Sequence, residues 1–438
     1  MKVLKFGGTS VGSAQRMQHV EKLIRTPERK IVVLSAMSGT TNALVKISEA
    51  LFAKNYQEAH KKIDELEAKY HAVVAELYKT ETGKTKGTRL IYDHFGYMRV
   101  LAKNMFNTRK EKAMLAEGEI LSTNLMLYYL EEVGVDAILL DALDFMRIDE
   151  NEEPDLSFIS EQLTAELAKY PDKQLFVTQG YICLNSYGEV DNLKRGGSDY
   201  TASLIGAAIM AEEVQIWTDI DGMHNNDPRI VDRTVPVAEL SFDEAAELAY
   251  FGAKILHPQS VNPARLKKIP VRLLNTMQPE QPGTLISDHA GGHGIKAVAA
   301  KDNITAIRVQ SGRMFLAYGF LKKLFEVFER YKTSIDMITT SEVAVSLTID
   351  NTSHLQEIVA DLQQFSTIEV EHDQTIVCVV GDMMEQKQDY VAKVLESVKG
   401  IPIRMVSYGG SKNNISLLVH SSHKADVLKG LNKGIFGL

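Results

Sequence analysis

Residues 1–10 read Met1-Lys-Val-Leu-Lys5-Phe6-Gly7-Gly8-Thr-Ser10. An apolar strand delivers Lys5 into a double-glycine turn, and a helix-prone segment opens at Ser13. Gly7 and Gly8 let backbone N–H groups approach a ligand with no Cβ in the way, and the next helix turns its positive end to the same spot. With the mobile charge of Lys5 added, the segment makes a phosphate cradle at the end of a strand. It is not a Walker A loop, whose lysine follows a longer glycine loop on the helix side. A plain N-terminal strand with a tight turn is the competing reading, because short glycine motifs recur by chance.

The rhythm that begins there runs to about Ile286. Short apolar runs stand at Val3–Phe6, Lys30–Ser35, Ala137–Asp141, Gln174–Gln179, Glu213–Thr218 and Val271–Leu274. They lack polar alternation, as strands do when helices cover both faces of a mostly parallel sheet. Helices such as Ser13–Ile24 and Tyr200–Ala211 fall between them. The fold class is therefore α/β, a mostly parallel sheet sandwiched by helices. Residues 56–109 break the rhythm with helix alone, where Ile63, Leu66, Tyr70, Val73 and Leu77 form one apolar stripe and Gly83–Gly87 marks a turn. This insertion is either a lid or dimer contact, or a block packed on the sheet's flank.

The Pro- and Gly-rich stretch Gln278–Gly294 marks a boundary. It divides a first domain at 1–290 from a second region at 295–438. In that region a β-α-β-β-α-β order occurs twice, including a strand at Ser334–Thr339. Two small ferredoxin-like domains are expected, the first over about 304–372 and the second over about 373–438 with a strand from 295–303.

Bulk properties exclude several classes. A chain of 438 residues exceeds one ordinary core. Its net charge of −8, from 49 basic and 57 acidic residues, argues against nucleic acid as a partner. No apolar run is long enough to cross a bilayer, and the charged N-terminus lacks the apolar core of a signal peptide. Cys183 and Cys378 lie far apart in apparent strands and read as buried thiols in a reducing cytoplasm.

Five further segments carry chemistry. Ser35-Ala-Met-Ser-Gly-Thr-Thr41-Asn42 is a polar turn after the second strand, where open α/β sheets bind ligands or where a helix is merely capped. In Glu117-Gly-Glu119 a carboxylate sits in a helix-prone stretch, a position that is usually solvated. In Lys194-Arg195-Gly196-Gly197-Ser198-Asp199 an arginine fork precedes two glycines and a helix start, which together suit a carboxylate ligand. Trp217-Thr218-Asp219 follows a strand and runs on to Asp227-Pro-Arg229, and Phe251-Gly-Ala-Lys254 offers a second phosphate cation. His257-Pro258 reads as a helix restart, and no histidine stands at metal-ligand spacing with a second ligand, so no protein-held metal is expected.

Taken in order, KFGGTS, SGTTN, EGE, KRGGSD, WTD and FGAK resemble the amino-acid kinase family, and within it the aspartokinases, over nearly the whole chain. The repeated unit after Gly294 is similar to that family's paired ACT domains. The resemblance implies ATP-dependent phosphorylation of the aspartate side-chain carboxylate, the first step toward lysine, threonine and methionine. It assigns Lys5, with Phe6, Gly7 and Gly8, to the ATP phosphates, and Asp199 to ordering Lys5 and the loop. Arg195 and Gly196 would receive the α-carboxylate of aspartate and Glu119 its ammonium. Thr41 and Ser198 would orient the amino acid, and Tyr181 would wall the pocket. Thr218, Asp219, His224, Arg229 and Lys254 would line the nucleotide site, with Mg²⁺ held mainly by the phosphates.

Such chemistry needs no catalytic base, because a carboxylate with a pKa near ~4 is already ionised at pH 7. The chain departs from many relatives at His224, where a tyrosine is common, and at Tyr181-Ile-Cys183, where Phe-Ile-Gly is frequent. The second region resembles lysine-sensitive members at Ser334-Ile-Asp336 through Ser341-Glu342. Asp336 and Glu342 would meet effector ammonium groups at an ACT–ACT interface, with Met314, Ser334 and Ser341 beside them. The same resemblance implies a homodimer or higher oligomer through the ACT domains. It also implies a monofunctional enzyme, since nothing after Leu438 would hold the homoserine dehydrogenase fused to some relatives. Two rivals stay open: a kinase of the same fold acting on glutamate, acetylglutamate or carbamate, and a silent amino-acid sensor.

Overall fold

The computed structural model describes residues 1–438 except 104, 194–195, 253–255, 289–291, 312–317 and 384–388. The chain forms two compact units that interleave along the sequence. The first holds Met1–Met223 and Leu256–His289, the second His224–Ile255 and Ala290–Leu438.

The first unit opens with β1 (Lys2–Phe6), α1 (Ala14–Ile24) and β2 (Lys30–Leu34). Helices α2 (Thr40–Phe52), α3 (Tyr56–Leu77), α4 (Glu81–Ala102) and α5 (Thr108–Glu132) follow with no strand between them. Next come β3 (Ala137–Leu140), α6 (Ala142–Phe145), α7 (Leu156–Ala168), β4 (Leu175–Gln179) and the hairpin of β5 (Ile182–Leu184) and β6 (Val190–Asn192). Helix α8 (Gly197–Ala208) and β7 (Val214–Thr218) lead to the excursion β8 (Glu239–Ser241) and α9 (Phe242–Tyr250), which belongs to the second unit. The chain returns through α10 (Asn262–Leu266), β9 (Val271–Asn275) and β10 (Thr284–Ser287).

In this unit the strand order is β3-β4-β2-β1-β7-β9-β10. Neighbours are parallel except β9 and β10. Strands β2 and β4 are buried at every position, which explains their unbroken apolar runs. Even Lys30 is buried, because its ammonium donates to the Ile24 carbonyl at 3.2 Å and the Thr26 carbonyl at 2.8 Å beyond the end of α1. Burial lowers its pKa.

The helical insertion shares the core of the sheet. Ile63, Leu66, Tyr70, Val73 and Leu77 lie in one buried cluster with Phe6, Leu34 and Val177. The chain reverses at Tyr78–Thr80, not at Gly83–Gly87, and both glycines sit inside α4. They make room for packed side chains: a Cβ would stand 2.2 Å from Glu132 Oε2 and 2.9 Å from Tyr78 Cδ1 at Gly83, and 2.7 Å from Tyr78 Cε2 at Gly87. Helix α8 starts three residues before the expected Tyr200, because Gly196 takes a left-handed φ of 75° and caps it. Hairpin β5–β6 and strand β10 are absent from the expected strands.

The second unit continues with β11 (Gly294–Gln310), α11 (Phe320–Arg330), β12 (Ile338–Thr340), β13 (Ala344–Ile349), α12 (Leu355–Gln363) and β14 (Thr367–Asp382). It ends with α13 (Tyr390–Ser397), β15 (Met405–Tyr408), β16 (Asn414–His420) and α14 (Lys424–Phe436). One sheet runs β12-β13-β11-β14-β16-β15. Strands β11 and β14 pair antiparallel from Gly294↔Asp382 to Gln310↔Thr367, with register shifts between Lys301 and Ala306. Their halves serve different cores: Ile307 and Val309 pack with Leu324, Leu347 and Ile358, while Val298, Val377 and Val379 pack with Val394 and Leu428. Of the expected strand Ser334–Thr339 only Ile338 and Thr339 lie in the ladder, within β12. Ahead of it, Asp336 N–H donates to the Thr348 carbonyl at 2.9 Å, and Thr348 N–H to Met337 at 3.0 Å.

Candidate active site

Strand register brings the motifs to one level. Phe6 pairs with Leu34 and Trp217, and Leu34 with Gln179. The turns after β1, β2, β4 and β7 therefore leave the sheet together, around β1, where the strand order changes direction. Open α/β sheets bind ligands at such a switch point. A cavity of about 430 Å³ opens there, lined among others by Lys5, Gly8, Thr41, Glu119, Tyr181 and Ser198. A wider groove of about 580 Å³ along Leu156–Thr164, Ala207, Ala208 and Lys267 holds none of the motif residues.

Lys5 Nζ lies 2.7 Å from Asp199 Oδ1, with the two side chains 12% and 17% exposed. Gly8 beside it is required by space: a Cβ there would stand 2.8 Å from the Ala36 carbonyl oxygen. Glu119 is brought in by α5, not solvated as its helical setting suggested. Its Oε1 accepts the Ala36 N–H at 3.2 Å, and its buried Oε2 has no hydrogen-bond partner. Burial pushes the Glu119 carboxyl up to about 8, outweighing the Ala36 hydrogen bond and the charge of Lys5. A buried acid with one idle oxygen is prepared to meet a cation.

Ser198, in the first turn of α8, accepts a hydrogen bond from Ser35 Oγ at 2.8 Å. Gly180 permits this approach, since a Cβ there would lie 2.4 Å from Ser198 Cβ. Tyr181 has a φ of 67°; its N–H donates to Thr201 Oγ1 at 2.8 Å and its carbonyl accepts from Leu193 at 2.7 Å. Burial pushes its phenol up to about 12. Gly196, at φ 75°, would meet Ser260 Cβ at 2.4 Å if it carried a Cβ. Ser35, Met37, Ser38 and Asn42 also line the cavity without having been singled out, although the turn that carries them was. Cys183 is buried in β5 opposite Asp191, and burial pushes its thiol up to about 12, so it is an inert wall of the hairpin.

Trp217 stacks on Phe6 at 5.7 Å between ring centroids, and its carbonyl accepts Gly7 N–H at 3.2 Å. Thr218 Oγ1 donates to Asp219 Oδ1 at 3.1 Å. Both lie at the β7 end but do not line the cavity. His224 and Arg229 belong to the second unit. There His224 Nδ1 meets Thr234 Oγ1 at 2.7 Å, and the Arg229 fork grips Asp227 at 2.9 and 2.8 Å. His257 acts as a cap, its Nδ1 accepting Gln259 N–H at 3.3 Å. Arg195, Lys254 and Met314 lie outside the described residues.

In the second unit Asp336 has a side chain only 1% exposed and already holds a cation, Lys301 Nζ at 2.7 Å. Tyr250 O–H donates to the same oxygen at 2.7 Å, and Lys301 also reaches Asp350 at 2.9 Å. Burial works against the Lys301 charge, yet its bonds to Asp336 and Asp350 keep its pKa above the ordinary lysine value. Ser341 Oγ accepts Ala344 N–H at 3.1 Å in the β12–β13 turn, and Ser334 and Glu342 are exposed.

Comparison with known proteins agrees with this geometry. The profile of the amino acid kinase family matches residues 1–275, and that of the ACT domain residues 377–434. The chain is 34% identical to aspartokinase 1, chloroplastic, of Arabidopsis thaliana, over 99% of this chain and 80% of that protein. It is 32% identical to lysine-sensitive aspartokinase 3 of Escherichia coli over 99% of both. The crystal structure of E. coli aspartokinase III with lysine and aspartate superposes with a TM-score of 0.83 at 32% identity, covering 100% of this chain and 99% of that one. The form with aspartate and ADP gives 0.82 at 32% identity over 100% of both. With the turns after β1, β2, β4 and β7 at one end of a parallel sheet and an ACT match in its second unit, the chain belongs to the aspartokinases of the amino-acid kinase family.

Proposed function

We propose that this protein transfers the γ-phosphoryl group of ATP to the β-carboxylate of L-aspartate, giving 4-phospho-L-aspartate and ADP. The observation that carries this reading is one cavity lined by both Lys5, whose ammonium pairs with Asp199, and Glu119, whose buried Oε2 has no hydrogen-bond partner. Its aspartokinase relatives and the E. coli enzyme crystallised with aspartate and ADP support it. A β-carboxylate oxygen forms the new bond to phosphorus as the bond to the β–γ bridging oxygen breaks. No proton has to be removed, because the acceptor is ionised at pH 7.

Catalysis then rests on alignment and on charge offset. Lys5 follows the moving phosphoryl group. Glu119 receives the substrate ammonium and gives up its proton on doing so. Arg195 takes the α-carboxylate. The cavity is lined by the Lys5 ammonium, which suits phosphate oxygens and leaves Mg²⁺ to be held through the phosphates. Bound Mg²⁺ would offset charge on them.

Lysine acts as inhibitor through the ACT region, with the Asp336 carboxylate as the natural seat for its ammonium. Homo-oligomers form through the same region. The buried free thiols of Cys183 and Cys378 fit a reducing cytoplasm. Trapping the acyl phosphate with hydroxylamine in the presence of aspartate, ATP and Mg²⁺ tests the activity, and a panel with glutamate and acetylglutamate tests the substrate. Absence of aspartyl hydroxamate with and without lysine would sink the reading.

A further inference from the structure

Helix α3 sends two consecutive side chains onto the turn that carries Thr41. Lys69 Nζ donates to the Ser38 carbonyl at 2.5 Å, and Tyr70 hydroxyl meets Thr40 Oγ1 at 3.1 Å. The placement follows from the helix. Tyr70 stands in the buried stripe with Leu66 and Val73, so Lys69, about 100° round the axis, lies at the stripe's border. Its stem can follow the apolar surface while its ammonium emerges at the turn. No acidic side chain pairs with Lys69 among the described residues. Partial burial lowers its pKa.

What these residues hold is a turn that lines the cavity. Ser38, Gly39, Thr41 and Asn42 line it. Gly39 has a φ of 79° and caps α2 with no side-chain hydrogen bond; Ser38 N–H donates to the Gly8 carbonyl at 3.1 Å and Thr40 N–H to the Met37 carbonyl at 2.9 Å, and Lys69 and Tyr70 add side-chain holds from α3. Lys69 Nζ stands 3.8 Å from where a Gly39 Cβ would be. The insertion therefore reaches past the sheet's flank to the lip of the site.

We propose that Lys69, seconded by Tyr70, is a positioning residue for the amino-acid substrate, holding the Ser38–Thr41 turn in its receiving geometry. The inference rests on the cavity being the aspartate site. Its effect belongs in the aspartate KM, because the turn contacts that substrate in ground and transition states alike.

The test is steady-state kinetics on Lys69→Met, Lys69→Arg and Lys69→Gln, with thermal midpoints measured alongside. A hydrogen bond from a charged donor supports an expectation of about tenfold higher aspartate KM in Lys69→Met, with ATP KM within about twofold of wild type. Lys69→Arg should recover most of the loss. If Lys69→Met proves too unstable to assay, Lys69→Gln, which keeps the stem and a neutral donor, must show the same split in smaller measure. Unchanged aspartate KM, a parallel rise in both KM values, or a Lys69→Arg variant as poor as Lys69→Met would overturn the proposal. An inactive wild type would overturn the parent reading instead.

Discussion

The ammonium of Lys5, near the end of β1, lies 2.7 Å from the carboxylate of Asp199 in the first turn of α8. One ion pair thus joins the end of β1 to the helix turn that carries Ser198. Lys5→Met is expected to lower kcat and kcat/KM together, by about 3 kcal/mol or on the order of a hundredfold, as for other preorganised donors at a transition state. Asp199→Asn keeps the cation but loosens it and should cost less. Initial rates across both substrate concentrations check the order; a larger loss in Asp199→Asn would contradict it.

Burial holds the ligand-free Glu119 carboxyl at about 8, above its ordinary 4.5. As pH rises from 4.5 toward 8, the unfolded chain gives up this proton while the folded chain keeps it. The contribution of Glu119 to stability is therefore complete below the lower value and lost as pH rises through the upper one. Glu119→Gln should flatten that component of the thermal midpoint against pH. Binding of the aspartate ammonium needs the ionised form, so it should release a proton at pH 7 and tighten as pH rises to 8. Titration calorimetry in two buffers of different ionisation enthalpy measures the proton; none released from wild type would count against the assignment.

Gly180→Ala should damage the site more than the fold. Its Cβ would fall 2.4 Å from Ser198 Cβ, forcing Ser198 away from Ser35. Overpacking of this kind costs roughly 1–3 kcal/mol. The expected outcome is a modest fall in thermal midpoint with an aspartate KM raised beyond tenfold (about 1.4 kcal/mol). A variant with wild-type kinetics would show that Ser198 need not stay where it is.

Asp336 already holds the ammonium of Lys301 and the hydroxyl of Tyr250. An effector ammonium seated at Asp336, as proposed, would compete with them. Tyr250→Phe removes one competitor and should lower the lysine concentration needed for half-inhibition, whereas Asp336→Asn should raise it, each within the roughly 1–3 kcal/mol usual for coupling between sites. Inhibition curves at fixed aspartate decide, and shifts in the same direction would refute the competition.

Some of this was legible in the sequence and some was not, for physical reasons. Lys5, Gly7 and Gly8 are contiguous, so strand, turn and charge can be read together. Glu119 could not be recognised as buried, because a carboxylate on a helix is solvated unless another element covers it. Here Gly118 lets α5 come close enough to the turn after β2 that its Cβ would stand 2.8 Å from Ala36 Cβ. Gly83 and Gly87 were ambiguous in kind: glycine marks a turn or a close approach, and the packed side chains of Tyr78 and Glu132 decide between them. The clamp of Lys69 on Ser38 joins residues 31 positions apart and leaves no local pattern at either end.

Strands β11 and β14 each pass through both ACT-like cores, so the two repeats are woven and not strung like beads. The strand that flanks the second repeat, pairing Val298 with Val379, precedes the first repeat in the chain. Gene recombination at the apparent junction near residue 373 would hand over the second repeat without that strand. The pair must therefore be inherited, lost or swapped as a single cassette.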